Sequence, residues 1–124
     1  MNHKLQEDQP IFLQIADVIE KSIVDGNIKA HEQIPSTNVF SKQYQINPAT
    51  AAKGINLLVD QQILYKKRGV GMFVTEKAFH VILEKRKNRF YDSLMVPLLI
   101  EAKRLNLSKD QLKQWIEEGL DDSY

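Results

Sequence analysis

The stretch "INPATAAKGINLLVDQQ", residues 46–62, constrains the fold more than any other part of the chain. Asn47 is a favoured N-cap, and Pro48 has the fixed φ that suits the first helical position, so one helix start is signalled twice. Ala51, Ile55, Leu58 and Val59 then recur at helical spacing and give that helix an inner face. A start this sharp dictates where the preceding element ends. "TNVFSKQY" is about two helical turns, with Ser36 as its cap after the break at Pro35, and with Val39, Phe40 and Tyr44 available for a core. Only "QI" separates the two helices. Two helices joined by so tight a turn form a helix-turn-helix pattern.

The flanks extend the pattern. Upstream, Ile11, Ile15, Val18, Ile19 and Ile23 mark a helix that starts near Pro10, read as its first residue, with Asp8 or Gln9 as cap. Asp25-Gly26-Asn27 ends it. Downstream, "ILYKKRGVGMFVT" places a glycine-bearing tip between two β-prone runs, which is a hairpin signal. From Glu76 to about Leu105 a helical pattern returns, with Pro97 inside it predicting a kink or break. In "SKDQLKQWIEEGL", Ser108 and Gln111 have capping-box spacing, Gly119 is a C-cap candidate, and Leu112, Trp115 and Ile116 are expected to pack back on the preceding helix.

Charge is distributed unevenly, although the net value is only +1. Residues 34–75 carry five Lys/Arg and one acid, Asp60, and residues 76–91 carry five and two. Residues 1–33 and 92–124 are each acidic on balance. A basic centre between acidic ends is the footprint of a nucleic-acid binder, or else a solvated face. A hairpin placed directly after a helix-turn-helix, with Lys66, Lys67 and Arg68 leading into its tip, favours the first alternative. The second helix presents its N–H groups and positive dipole end to a phosphate, and the hairpin carries its cations to the sugar–phosphate rail or minor groove. Lys66 and Lys67 alternate sides of their strand, so one of them faces DNA.

Other functions find little support. The chain has no cysteine, so it forms no disulfide and no thiolate metal site. Gly69-Val70-Gly71 lacks the Gly-Lys-Ser/Thr of a P-loop, and His3, His31 and His80 form no H-E-x-x-H motif. His80 and Glu84 are two metal ligands at most, and no nucleophile–base pair is visible. No enzyme and no cofactor is expected. The polar start "MNHKLQEDQP" has no apolar h-region, and "LMVPLLI" is too short to span a bilayer. A cytoplasmic protein with no membrane partner is expected.

Three pieces in order, "QIPS", "INPATAAKGINLL" and "RGVGMFV", resemble the GntR family of bacterial transcription regulators over roughly Pro10 to Thr75. The short two-helix tail looks like the YtrA subfamily. That resemblance implies a winged helix-turn-helix, dimerisation through the tail, and regulation of ABC-transporter operons. Carried over by position, it implies DNA contacts from Ser36, Thr37 and Asn38, from Asn47, Ala49, Thr50 and Lys53, and from Lys66, Arg68, Gly69 and Gly71. Asn38 stands where most relatives have arginine, and asparagine suits adenine. Gln62 replaces a usual glycine, and Val70 replaces a common basic residue.

The expected fold is therefore mainly α with a small β-hairpin. A winged helix-turn-helix head, residues 1–75, precedes two C-terminal dimerisation helices, residues 76–124. Phe79, Ile82, Leu83, Phe90, Leu94 and Leu98 are the expected homodimer seam, because one short domain does not cover so many large side chains. "RKNR", residues 86–89, reads as a solvated face. The expected function is a dimeric repressor on a palindromic double-stranded DNA operator. Its rival is a winged-helix module that binds an acidic protein. No small-molecule effector is assigned, since the tail is too short for an obvious pocket.

Overall fold

The computed structural model describes residue 5 and residues 8–122. His3 and the rest of the polar N-terminal stretch before residue 5 lie outside the described residues. The elements are α1 (Ile11–Val24), α2 (Thr37–Tyr44), α3 (Pro48–Asp60), β1 (Leu64–Lys67), β2 (Gly71–Val74), α4 (Ala78–Phe90), α5 (Val96–Arg104) and α6 (Lys109–Asp121). The chain is mainly helical with one antiparallel hairpin, as its patterning predicts. Among the described residues no helix is long and apolar enough to cross a membrane.

Helix starts follow their caps. Ser36 Oγ accepts the Val39 N–H at 3.2 Å, Asn47 Oδ1 accepts the Ala49 N–H at 2.8 Å, and Ser108 Oγ accepts the Gln111 N–H at 3.0 Å. Pro10 differs from expectation: it is the N-cap of α1, not its first residue, and its carbonyl accepts from Leu13 and Gln14. Proline has no side-chain acceptor, and its extended ψ of 134° sets the entry instead.

α2 closes with the N–H of Ile46 reaching the carbonyl of Ser41 across left-handed Gln45 (φ 54°), and three more helices end in the same way. After α1 the N–H of Asn27 reaches the carbonyl of Ser22, after α3 Ile63 reaches Leu58, and after α5 Leu107 reaches Ala102. These are Schellman closures, which require a left-handed residue just past the helix. That residue is Gly26 in the first case, Gln62 (φ 63°) in the second and Asn106 (φ 56°) in the third. Glycine suits the position without a Cβ penalty, so the glycine usual at position 62 has a plain backbone reason. Gly119, expected to be a C-cap, instead lies inside α6, which runs on to Asp121.

The chain divides into two compact units, the first ending at Lys85 and the second starting at Arg86, within α4. The first has one core, in which Ile15 and Ile19 of α1, Phe40 of α2, Ile55 and Leu58 of α3, and Leu64 and Val74 of the hairpin are buried together. Ala78 and Ile82 of α4 join that core, so the head's packing extends past Thr75. Val39, read as a core residue, is 48% exposed because Phe40 and Tyr44 occupy the inner face of so short a helix. Gly54 sets the approach of α3 to α1. A Cβ there would lie 2.5 Å from the Phe12 carbonyl oxygen and 3.2 Å from Ile15 Cβ.

β1 and β2 pair from Leu64 with Val74 to Lys67 with Gly71. The segment before α2 pairs with β2 as well. The His31 N–H donates to the Val74 carbonyl at 2.7 Å, the Val74 N–H to Glu32 at 3.0 Å, and the Ile34 N–H to Met72 at 2.9 Å. In the second unit the expected break near Pro97 is a π-helical stretch, Tyr91–Met95, where the Val96 N–H reaches back to the Tyr91 carbonyl. Proline at position 97 supplies no N–H to the ladder, and the wider turn precedes it. Trp115 and Ile116 are exposed within the protomer, not packed back as expected; Leu112 is half-buried.

Two substitutions test this backbone account. Gln62→Gly relieves a left-handed residue worth roughly 1–2 kcal/mol, partly offset by glycine's unfolded-state entropy of roughly 0.5–1 kcal/mol. A rise in the urea midpoint at unchanged slope is expected, and a fall would contradict the closure. Gly54→Ala gains about 1 kcal/mol of helix propensity but forces repacking that costs about 1–3 kcal/mol. Its midpoint is expected to fall; a rise would mean that α1 and α3 part easily.

Candidate nucleic-acid interface

The start of α2 and the hairpin tip open onto one cleft of ≈ 250 Å³, lined by Ser36, Thr37 and Asn38 on one side and Val70, Gly71 and Met72 on the other. The pairing of residues 31–34 with β2 creates this proximity, because α2 begins three residues after that pairing ends. Thus three of the expected DNA-facing residues and the wing glycine Gly71 line one concavity.

The hairpin register sorts its cations. Leu64 and Val74, a cross-strand pair, are buried against the helices, and Lys66 with its partner Met72 continues on the same face. Lys67 points the other way, its ammonium lying 4.4 Å from the centre of the Phe73 ring. Tyr65 stacks on Phe73 on that same outer face. Lys66 therefore stands on the cleft side, and Arg68 occupies the exposed turn with Gly69 (φ 77°). Among the described residues the side chains of Lys66 and Arg68 have no ion-pair or hydrogen-bond partner. A positive φ at Gly69 closes the turn without a Cβ penalty. Gly71 (φ 147°) likewise has a backbone that favours glycine, and a Cβ on it would also lie 2.5 Å from Gln33 Nε2, the end of a flexible side chain.

The caps are chemically suited to a polyanion. Ser36 uses an oxygen lone pair for the Val39 N–H and keeps its O–H proton. Asn47 uses Oδ1 for the Ala49 N–H and keeps both Nδ2 protons. Capping and phosphate binding are thus compatible roles of one side chain. Ala49 is exposed and Thr50 half-buried on the first turn of α3, beside Asn47. Lys53 is exposed and rests its ammonium 4.1 Å from the centre of the Phe12 ring of α1. An exposed cation–π contact of this kind is worth about 0.5–1 kcal/mol. It preorients the charge without neutralising it.

Of the expected seam, Ile82 is 0% exposed in the head's own core and is not available to a second chain. Leu83 is half-buried; Phe79, Phe90, Leu94 and Leu98 are exposed. Tyr91, Leu99, Leu105, Trp115 and Leu120, outside the expected seam, are exposed as well. Their signal was the density of apolar residues in residues 90–120, beyond what α5 and α6 can cover between them.

The family described as "Bacterial regulatory proteins, gntR family" matches residues 12–74. The uncharacterized HTH-type transcriptional regulator YhcF of Bacillus subtilis (strain 168) is 27% identical over 94% of this chain and 95% of its own length. The HTH-type transcriptional repressor YtrA of the same organism is 26% identical over 88% of this chain and 83% of its own. Among solved structures, a GntR-family transcriptional regulator from Bacteroides thetaiotaomicron superposes with a TM-score of 0.78 at 28% identity, covering 90% of this chain and 96% of that one. The DNA-binding domain of AraR, solved in complex with operator ORX1, superposes with a TM-score of 0.53 at 32% identity, over 60% of this chain and 92% of that one. The family match spans the whole three-helix head and its hairpin, and the fold agrees: this chain belongs to the gntR family, and it is a DNA-binding transcriptional regulator with a winged helix-turn-helix, not an enzyme.

Proposed function

We propose that the chain is a homodimeric repressor of the YtrA-like kind, acting in the cytoplasm on a palindromic operator. The observation that carries this reading is the shared cleft: α2's capped start and the hairpin tip border it together, and Lys66 is paired to Met72, one of its lining residues. Ser36, Thr37 and Asn38, Asn47, Ala49 and Thr50, and Lys53, Lys66, Arg68, Gly69 and Gly71 are the proposed contacts. Ser36, Lys66 and Arg68 hold phosphate. Asn38, at a position where arginine is usual, reads a base edge that offers both a donor and an acceptor, as adenine does. The regulated genes, by the YtrA-like resemblance, are those of an ABC transporter.

The dimer reading rests on the exposed apolar side chains of the second unit. Leu94 is 58% and Leu98 45% exposed, one turn apart around Pro97, with Phe90 one turn before. Runs of large exposed apolar residues mark an interface, and a two-fold dimer places two wings on half-sites about one helical turn apart.

Selection of duplexes from a random pool tests the operator. A palindrome is expected, bound roughly 10³-fold or more above random sequence; recovery of no common site would end the reading. Arg68→Ala is expected to weaken binding to every duplex alike and to reduce the salt slope by about one unit. An unchanged slope would remove Arg68 from the phosphate contacts. Leu94→Glu with Leu98→Glu is expected to give a folded monomer by sedimentation, because neither residue is buried in the protomer. A dimer surviving both changes would place the seam elsewhere.

A further inference from the structure

Gln33 precedes the helix-turn-helix, yet its side chain reaches the wing. Its Nε2 donates to the carbonyl of Val70, at the tip of the hairpin, at 3.0 Å. Its backbone forms an isolated bridge to Phe73 of β2. The same Nε2 occupies the space that a Cβ on Gly71 would need, at 2.5 Å. Gln33 also lines the cleft that α2 and the wing share.

These contacts differ in what they hold. The backbone pairing of residues 31–34 fixes the base of β2, from Met72 to Val74. The turn beyond it, with Arg68, Gly69 and Val70, has one backbone closure of its own, from the Val70 N–H to the Lys67 carbonyl at 2.9 Å. A two-stranded tip in water is marginally stable by itself. The Gln33 amide is the side-chain tie from the α2 side of the cleft to that tip.

We propose that Gln33 is a positioning residue that clasps the wing tip and so sets where Arg68 meets the DNA. The inference rests on the reading of the wing as a DNA contact. The backbone of Gly71 (φ 147°) by itself favours glycine, and the missing Cβ also leaves the Gln33 amide its place. The clasp uses one of the two amide protons of Gln33.

Gln33→Met keeps the length of the side chain and the backbone bridge but removes the donor. The variant is compared with Arg68→Ala and with the double variant in three measurements: thermal midpoint, amide exchange at Val70, and affinity for the duplex that the unaltered chain selects from a random pool. Gln33 is exposed, so the midpoint is expected to stay unchanged. Val70 is expected to exchange several-fold faster. Affinity is expected to fall about 3- to 10-fold, the worth of one hydrogen bond, and to fall little further when Gln33→Met is added to Arg68→Ala. Unchanged exchange together with unchanged affinity would overturn the clasp. An equal loss in both backgrounds would also overturn it, since Gln33 would then act on DNA directly. If Arg68→Ala alone binds normally, the wing reading fails, and the exchange rate at Val70 still decides whether the clasp exists.

Discussion

The backbone pairing of His31, Glu32 and Ile34 with β2 is the constraint on which the site's geometry turns, because it is what makes a stable unit of a hairpin whose strands are four residues each. A hairpin alone is marginal in water, and a third strand-like segment with an apolar face gives it permanence. Here that segment is also the entry to α2. The same few hydrogen bonds that stabilise the wing therefore fix its distance from Ser36. His31 adds side-chain ties at the base: Nδ1 lies 3.1 Å from the Tyr65 hydroxyl and Nε2 2.6 Å from a Glu76 carboxylate oxygen. With φ at 66°, His31 turns the chain sharply into this pairing.

A second constraint decides where the head ends. Glu20 of α1 is fully buried, and Lys85 of α4 donates to it at 2.6 Å and to Gln61, just past α3, at 2.8 Å. Desolvating such a pair offsets much of its attraction, so it adds little net stability over an apolar substitute. It does make the register of α4 against α1 specific, since sliding either helix by a turn would leave a charge buried without its partner. Together with Ala78 and Ile82 in the core, this carries the head through the first turns of α4. A chain cut after Thr75 would lose those contacts, so the oligomer is better probed by surface changes in the tail than by truncation.

Much of the local structure was legible because it is local. Each cap is a short side chain acting on an N–H two or three residues away, and Ser36, Asn47 and Ser108 all act as their spacing implied. The hairpin and the inner face of α3 were legible for the same reason: turn chemistry and helical period operate within a few residues. What sequence could not show is long-range. Lys53 lies over Phe12, Gln33 reaches Val70, and Ile82 leaves the expected seam for the head's core. Each depends on elements whose packing no spacing rule specifies. Pro10 and Gly119 are misses of another kind. Both residue types favour the assigned positions statistically, but an extended ψ at Pro10 and a helix that continues through Gly119 are equally permitted by their backbones.

The charge pattern explains why so slight a net charge of +1 does not argue against a nucleic-acid partner. Binding to a polyanion depends on the charges within about one Debye length, roughly 8 Å at physiological salt, and not on the sum over the molecule. In the head the cations best placed are those without internal acids: Lys66 and Arg68 have no carboxylate partner, whereas Lys21 and Lys85 are each paired with one. The capping side chains follow the same division, using their acceptors inward and keeping donors outward. Residues 34–75 hold five Lys/Arg against one acid, Asp60, so the segment that carries α3 and the wing is basic although the whole chain is nearly neutral. The field that a polyanion meets is set by that local balance.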